Sequence, residues 1–243
     1  MSWARMDSTW VRDGGLMALR AGADTGANTA ALKVLLAIGA HTHFSTCEVA
    51  LSLADFELVT GLSRPQVIKG IRVLKELRVV TVDETSHIHG YKLENAHEPP
   101  WSKVPTDKIR ARLQHLPNRG ETALAALKML VLFLVFRDGA TNRATISHDK
   151  IVAYTGIRPK HVRAGVDHLV NHEFVHVHLE EKFGQTNGRP THSYELLARF
   201  DGGAAASLRP LHAEKLRKAE QNGISMRPSH VPKSSTAGFE PPF

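Results

Sequence analysis

Residues 60–74 read Thr60-Gly61-Leu62-Ser63-Arg64-Pro65-Gln66-Val67-Ile68-Lys69-Gly70-Ile71-Arg72-Val73-Leu74, which is a glycine followed by an amphipathic segment. In this segment Val67, Ile71 and Leu74 are spaced i, i+4 and i+7, so they form one apolar stripe of a helix. Gly61 stands where a preceding helix would end, because a residue without a Cβ adopts the left-handed conformation at little cost. The stretch therefore predicts helix, glycine turn and helix.

The same pattern returns 95 residues later, with Gly156 in the place of Gly61. When residues 31–82 are aligned with residues 126–177, 13 of the 52 positions are identical and no gap is needed. Most of the remaining core-like positions exchange one apolar residue for another. A constant offset over such a length indicates an internal duplication. We therefore predict that the chain contains two copies of one unit.

Each unit is predicted to contain three helices and a β-hairpin. The first helix carries an apolar run, and a serine caps the short second helix. A proline stands in the first turn of the third helix, where its missing N–H costs nothing. The segments in the two copies are the apolar runs 31–38 and 126–133, the caps Ser52 and Ser147, the prolines Pro65 and Pro159, and the strands 79–82, 90–93, 174–177 and 193–196.

Helix, helix, glycine turn, helix and hairpin is the order of a winged helix-turn-helix, so we predict an α+β, mostly helical fold with two such domains in tandem. Residues 60–74 resemble the helix-turn-helix of bacterial winged-helix regulators. Two units on one chain resemble the replication initiator (Rep) proteins of plasmids and phages, which pair two winged helices to read origin repeats. The resemblance covers roughly residues 25–95 and 120–198, and it implies that both units contact DNA.

The duplication also predicts the domain boundaries. Residues 1–24 are expected to be an N-terminal extension, 25–95 the first winged helix and 122–200 the second. Residues 96–121 are expected to be a linker, with a connector helix that Thr106 could cap. Residues 201–243 are rich in Gly, Ala, Ser and Pro, a composition typical of a partly disordered tail.

In this architecture the third helix of each unit enters the major groove with its N-terminal end first. Arginine suits a guanine edge and glutamine an adenine edge, so Arg64 and Gln66 are the expected base readers of the first unit. Lys69, Arg72 and Lys75 are expected to meet phosphates. The complete set of predicted DNA-binding residues is Ser63, Arg64, Gln66, Lys69, Arg72 and Lys75, then Arg158, Lys160, His161 and Arg163, and Arg189 in the second hairpin loop. The alternative is an ordinary solvated helix face and a plain hairpin loop.

Charge and composition agree with a nucleic-acid partner. The chain has 31 Lys and Arg against 24 Asp and Glu, and a basic surface suits polyanions. The single cysteine, Cys47, excludes an internal disulfide and favours a reducing cytoplasm. The resemblance to Rep proteins implies a bacterial protein associated with the nucleoid or a plasmid. The apolar stretch 123–136 is too short to span a bilayer and predicts a buried helix. The expected partner is double-stranded DNA, and no binding to a membrane is expected. A second copy of the chain and replication or transcription machinery are left open.

Catalytic chemistry is not predicted. Three His-X-His triplets (His41/His43, His87/His89 and His176/His178) have the spacing found in the metal site of rolling-circle nicking enzymes, which also need a helical tyrosine. The helical candidate, Tyr154, aligns with Val59 and is therefore expected in the core. The sequence contains no phosphate-binding Gly-x-x-x-x-Gly-Lys motif. We predict no enzyme activity, catalytic residue, metal site or cofactor, with a metal-dependent nickase as an alternative.

The predicted function is sequence-specific binding of double-stranded DNA, as the replication initiator of a plasmid or phage. A transcriptional regulator is the main alternative, and a partition protein or a module that binds only proteins is also left open. Because the two predicted reading surfaces differ, we expect each copy to read a different sequence. One chain would then recognise an asymmetric site through two major-groove contacts about one helical turn apart.

Overall fold

The computed structural model describes residues 3–96, 98–180 and 191–198. The predicted tail (201–243) and Arg189 lie outside the described residues. About half of the described residues are helical, and the described strands form small antiparallel sheets. The predicted α+β class is therefore confirmed.

The described elements fall into two halves with the same order. The first half contains β1 (Trp3–Asp7), α1 (Thr9–Arg12), the 3-10 turn η1 (Gly15–Ala18), α2 (Thr25–His41), β2 (Glu48–Ala50), α3 (Leu53–Thr60), α4 (Arg64–Glu76), β3 (Val80–Asp83) and β4 (Gly90–Leu93). The second half contains β5 (Trp101–Pro105), α5 (Thr106–Arg112), the 3-10 turn η2 (Leu113–His115), α6 (Glu121–Phe136), β6 (Arg143–Thr145), α7 (His148–Thr155), α8 (Lys160–Asn171), β7 (Val175–Glu180) and β8 (Thr191–Leu196). The common order includes elements that precede the aligned stretch 31–82.

Local backbone conformation also repeats at the 95-residue offset. Ser52 and Ser147 each cap their helix by accepting a hydrogen bond from the backbone N–H three residues on. Gly61 and Gly156 have φ values of 67° and 64°. Cys47 and Asn142 share a positive φ (56° and 59°) although their side chains differ. The two halves therefore follow the same path through their turns even where the sequence has changed.

Each half has a three-stranded antiparallel sheet, with strand order β2-β4-β3 in the first half and β6-β8-β7 in the second. In each sheet, a buried tyrosine of the central strand packs against an aromatic residue of a helix. Tyr91 packs edge-on against Phe56 with ring centroids 5.1 Å apart, and Tyr194 stacks on Phe133 at 4.3 Å. Each sheet is thus packed against the helices of its own half.

The third sheet pairs β1 with β5 and links the predicted N-terminal extension to the predicted linker. Its inner face buries Ala4 and Val104 completely. Trp3 on the outer face stacks on Trp101 with ring centroids 5.5 Å apart. Buried residues of both halves belong to one continuous hydrophobic cluster, in which α2 contacts α6. The predicted N-terminal extension and the predicted linker therefore both contribute to the core.

Several local predictions can be compared directly with the structure. The apolar stretch 123–136 lies in α6, whose side chains are almost all buried, as predicted. Pro65 is in the first turn of α4, but α8 begins at Lys160, so Pro159 occupies the N-cap position instead of the first turn. Thr106 is likewise the first residue of α5, which Pro105 precedes as the cap. Within the described ranges, no helix is both long and apolar enough to cross a membrane.

Candidate nucleic-acid interface

The turn between α3 and α4 is held by hydrogen bonds from its own residues. The Thr60 hydroxyl donates to the Phe56 carbonyl over 2.5 Å and accepts from the Leu62 N–H at 3.2 Å. The Thr155 hydroxyl makes the equivalent pair of bonds in the second half. With Gly61 in the left-handed conformation, these bonds fix the direction in which α4 leaves the turn.

A fully buried lysine also donates hydrogen bonds to the same turn. The Lys33 ammonium, on α2, donates to the carbonyls of Thr60 (2.9 Å) and Leu116 (2.6 Å) and to the side chain of Asn118. At the equivalent position on α6, Lys128 donates to the Thr155 carbonyl over 2.6 Å. Burial lowers the pKa of Lys33 to about 7 and that of Lys128 to about 8. Each ammonium satisfies a carbonyl at the C-terminal end of a helix, where a positive charge is also favoured by the helix dipole.

Close contact with α2 sets the position of α4. A Cβ added at Gly70 would lie 2.8 Å from the carbonyl carbon of Ala30 and 2.9 Å from its oxygen. Val67 and Leu74, one turn to either side, are completely buried. The stripe predicted from the sequence therefore faces α2, and the opposite face of α4 points away from the protein.

The outward face of α4 is cationic. Arg64, Lys69 and Arg72 are exposed, and no salt bridge links them to any other described residue. Between them lies Ile68, which is 44% exposed. The sequence interpretation missed Ile68, although the spacing of Arg64, Ile68 and Arg72 at i, i+4 and i+8 places all three on one face. An exposed isoleucine between arginines offers an apolar contact of the kind that reads a thymine methyl group.

Two residues of the predicted surface have other partners in the structure. The Gln66 carbonyl oxygen accepts hydrogen bonds from the backbone N–H and the hydroxyl of Ser63, both at 3.0 Å, so Gln66 closes the N-terminus of α4. Its amide group then has donors left but no free acceptor for a bidentate adenine contact. Lys75 pairs with Glu84 of the β3–β4 turn over 2.7 Å.

The equivalent surface of α8 is less basic. Lys160 and Arg163 are exposed as predicted. Arg158 is exposed too, but it forms an ion pair with Glu121 at the start of α6. The Nε2 atom of His161 lies 3.0 Å from the same carboxylate. Burial, followed by the nearby charges of Arg158 and Lys160, lowers the pKa of His161, which favours the neutral ring. The sequence interpretation missed Glu121 because the partners are 37 residues or more apart.

Residues related by the 95-residue offset differ in charge along the two outward faces. The position of Arg72 in α4 is occupied by the exposed Asp167 in α8, and that of Lys69 by Ala164. Ile68 corresponds to Arg163. The buried positions, in contrast, keep Val67 as Val162 and Leu74 as Leu169. The two halves therefore combine the same inner face with different outer faces.

The histidine-rich segments do not converge on a metal site in the described part of the chain, where no group of three or more His, Cys, Asp or Glu residues has a suitable arrangement. His176 and His178 lie on β7, as predicted for the hairpin. The His178 ring contacts Glu195 over 2.5 Å. Tyr154 is half-buried and packs against Phe136 with centroids 4.9 Å apart, consistent with the packing role predicted for it.

Comparison with protein-family models and curated proteins does not identify a relative. No protein-family model matches the chain, and no curated protein matches it at a significant level. Inferences about function therefore depend on the residues and contacts described above.

Proposed function

We propose that this protein binds double-stranded DNA in a sequence-specific manner through two winged helix-turn-helix units, with α4 and α8 as the reading helices. The observation that carries the proposal is the exposed face of α4, where Arg64, Lys69 and Arg72 lack salt-bridge partners among the described residues. Cations that a protein leaves unpaired on an exposed helix face are available to phosphates and base edges. In this proposal, the three-stranded sheet beside each helical unit serves as the wing.

The proposal is tested by selecting bound sequences from a random pool of duplex DNA with the full-length protein. We expect a defined motif to be enriched, and affinity for it to fall with salt at a log–log slope of roughly −0.9 per phosphate contacted. If no motif is enriched and the Arg64→Ala/Arg158→Ala variant has the same affinity for duplex DNA as the parent, a module that binds only proteins is favoured.

Replacing Arg72 with alanine should weaken binding to the selected duplex roughly tenfold, because one unpaired cation leaves the outward face of α4. The matched control is Lys75→Ala, which removes the same charge from the same exposed helix. Since the Lys75 ammonium already binds Glu84, we expect it not to contact a phosphate directly and the change to be less than about threefold. Fluorescence anisotropy with a labelled duplex measures both. Equal losses in the two variants would show that α4 does not present the binding face.

Replacing Glu121 with glutamine should strengthen DNA binding by about three- to tenfold. The change removes the carboxylate that pairs with Arg158 and lies beside His161, so the positive charge at the start of α8 is no longer compensated. In an Arg158→Ala background the same substitution should have a smaller effect. A Glu121→Gln variant with unchanged or lower affinity would argue against Arg158 as a DNA contact.

For the biological process we propose replication initiation on a plasmid or phage. The basis is the pairing of two such units on one chain, the feature that resembles initiator proteins. A plasmid that carries the gene and the DNA on either side of it should replicate in a host that lacks the natural element, and Arg72→Ala should impair its maintenance. If transcription of a reporter responds but the plasmid is lost, the protein is a regulator.

A further inference from the structure

The duplication extends to the N-terminus of the chain with a different offset. Trp3 and Arg5 on β1 correspond to Trp101 and Lys103 on β5, 98 residues further on, and Arg12 corresponds to Arg110. Leu16 and Leu19 correspond to Leu113 and Leu116, 97 residues further on because the second copy is one residue shorter at this point, and all four side chains are buried. Residues 3–19 and 101–116 are therefore two copies of one segment, which we call the arm. Each half of the chain consists of an arm followed by a three-helix unit with its sheet.

The two arms pair with each other in a reciprocal way. In the antiparallel β1–β5 register, Arg5 lies opposite its own counterpart Lys103. Ala4 lies opposite Val104, and Met6 opposite Ser102, which is the same pair of positions with the halves exchanged. A contact in which i meets j and j meets i is the signature of a two-fold axis. The axis here passes between Arg5 and Lys103.

The helix and the 3-10 turn of each arm contact the three-helix unit of the other half, while β1 and β5 also contact α2 and α6 of their own halves. The Arg12 guanidinium donates to the Val135 carbonyl of α6 over 3.3 Å, and the Arg110 guanidinium donates to the Ala40 carbonyl of α2 over 3.0 Å. Ala40 and Val135 are themselves equivalent at the 95-residue offset. These contacts of the helical parts of the arms are exchanged between the halves, as in a dimer whose arms reach across to the partner.

The arms also cover the helix-turn-helix turns crosswise. A Cβ added at Gly61 would lie 2.9 Å from the Gln114 carbonyl of the second arm. One added at Gly156 would lie 3.7 Å from the Met17 backbone of the first arm. Gln114 and Met17 occupy equivalent positions, 97 residues apart. The turn before α4 and the turn before α8 are therefore each contacted by the arm of the other half.

We infer that one chain acts as a fused two-fold dimer and binds a single imperfect inverted repeat, an inference that rests on the proposed DNA binding. A two-fold axis that relates the arms and turns also relates α4 to α8, so the two helices meet the duplex in opposite directions. Proteins with this symmetry bind half-sites of opposite orientation, centred one helical turn or a multiple of it apart. Head-to-tail copies would require a direct repeat instead.

The two half-sites are unequal because the reading faces differ. The first unit presents Arg72 where the second presents Asp167, and the Arg158 of the second unit is paired with Glu121. Each negative group next to the duplex opposes the attraction of phosphate. The half-site read by α4 therefore contributes more of the affinity than the half-site read by α8.

The test uses duplexes built from the selected motif. One set carries the two half-sites inverted and the other carries them as a direct repeat, each over a series of spacings. We expect the best inverted duplex to bind at least about 100-fold more tightly than the best direct one, with one chain per duplex by sedimentation or native mass spectrometry. The half-site read by α4 is the one whose selected sequence changes in the Arg64→Ala variant. Scrambling this half-site should lower the affinity more than scrambling the half-site read by α8.

The possible outcomes separate the inference from the proposed function. Tighter binding to direct repeats, or two chains on each inverted duplex, would overturn the fused-dimer inference while leaving sequence-specific DNA binding intact. Equal costs on scrambling either half-site would overturn the assigned inequality. Failure to select any motif would overturn the proposed function, and the inference would fall with it.

Discussion

Replacing Gly70 with alanine is expected to destabilise the protein by roughly 1–3 kcal/mol, the cost of forcing extra atoms into a packed contact between two helices. The new methyl group would lie 2.8–2.9 Å from backbone atoms of Ala30 and Ala31. Because backbone atoms of α2 cannot move aside as a flexible side chain can, α4 must shift away from α2. The gain of about 1 kcal/mol from the higher helix propensity of alanine does not offset that displacement.

The matched control is Gly165→Ala at the equivalent position of α8. There the closest atom is the terminal methyl of Met129, at the end of a flexible side chain, and the nearest backbone atom is the Ala126 nitrogen at 3.2 Å. We expect this variant to lie within about 1 kcal/mol of the parent, because a methionine can change rotamer. Urea unfolding followed by far-UV circular dichroism measures both variants. A Gly70→Ala protein as stable as the parent would contradict the close contact between α2 and α4.

Replacing Lys33 with methionine is expected to cost about 2–3 kcal/mol at pH 9, because the buried carbonyls of Thr60 and Leu116 lose their donor. Lys128→Met removes a single donor bond, to Thr155, and should cost about 1 kcal/mol. Methionine has a similar length and shape, so the comparison isolates the hydrogen bonds from the loss of packing. Equal losses in the two variants would contradict the greater number of bonds made by Lys33.

The contribution of Lys33 should increase with pH. Burial lowers its pKa to about 7 in the folded protein, while the unfolded chain retains the ordinary value near 10.4. Between these values the unfolded chain holds a proton that the folded protein lacks, so the free energy of unfolding rises with pH. The difference between the parent and Lys33→Met should therefore grow from pH 7 to pH 9, at up to about 1.4 kcal/mol per pH unit. A difference that stays constant or shrinks would contradict the effect of burial on this lysine.

Much of the geometry of the proposed interface follows from local sequence. The stripe of Val67 and Leu74 is buried, and Gly61 and Gly156 end their helices in the left-handed conformation, because periodicity and the missing Cβ act over a few residues. Exposure of Arg64 and Arg163 follows from the same periodicity. Local sequence did not show how these cations are paired. Glu121 and Glu84 are distant in sequence or on another element, and only packing brings them to Arg158 and Lys75.

The sequence alone determined the α+β class, the 95-residue duplication of residues 31–82 and the inner and outer faces of α4 and α8, since all of these depend on the order of residues within single elements. Only the tertiary structure showed that residues 3–19 and 101–116 are a second repeated segment, because the offset there is 97 or 98 instead of 95, which breaks the gapless alignment. The exchanged contacts of Arg12 and Arg110 likewise join segments about 70 residues or more apart. Such contacts depend on how the two halves pack together, which no local pattern encodes.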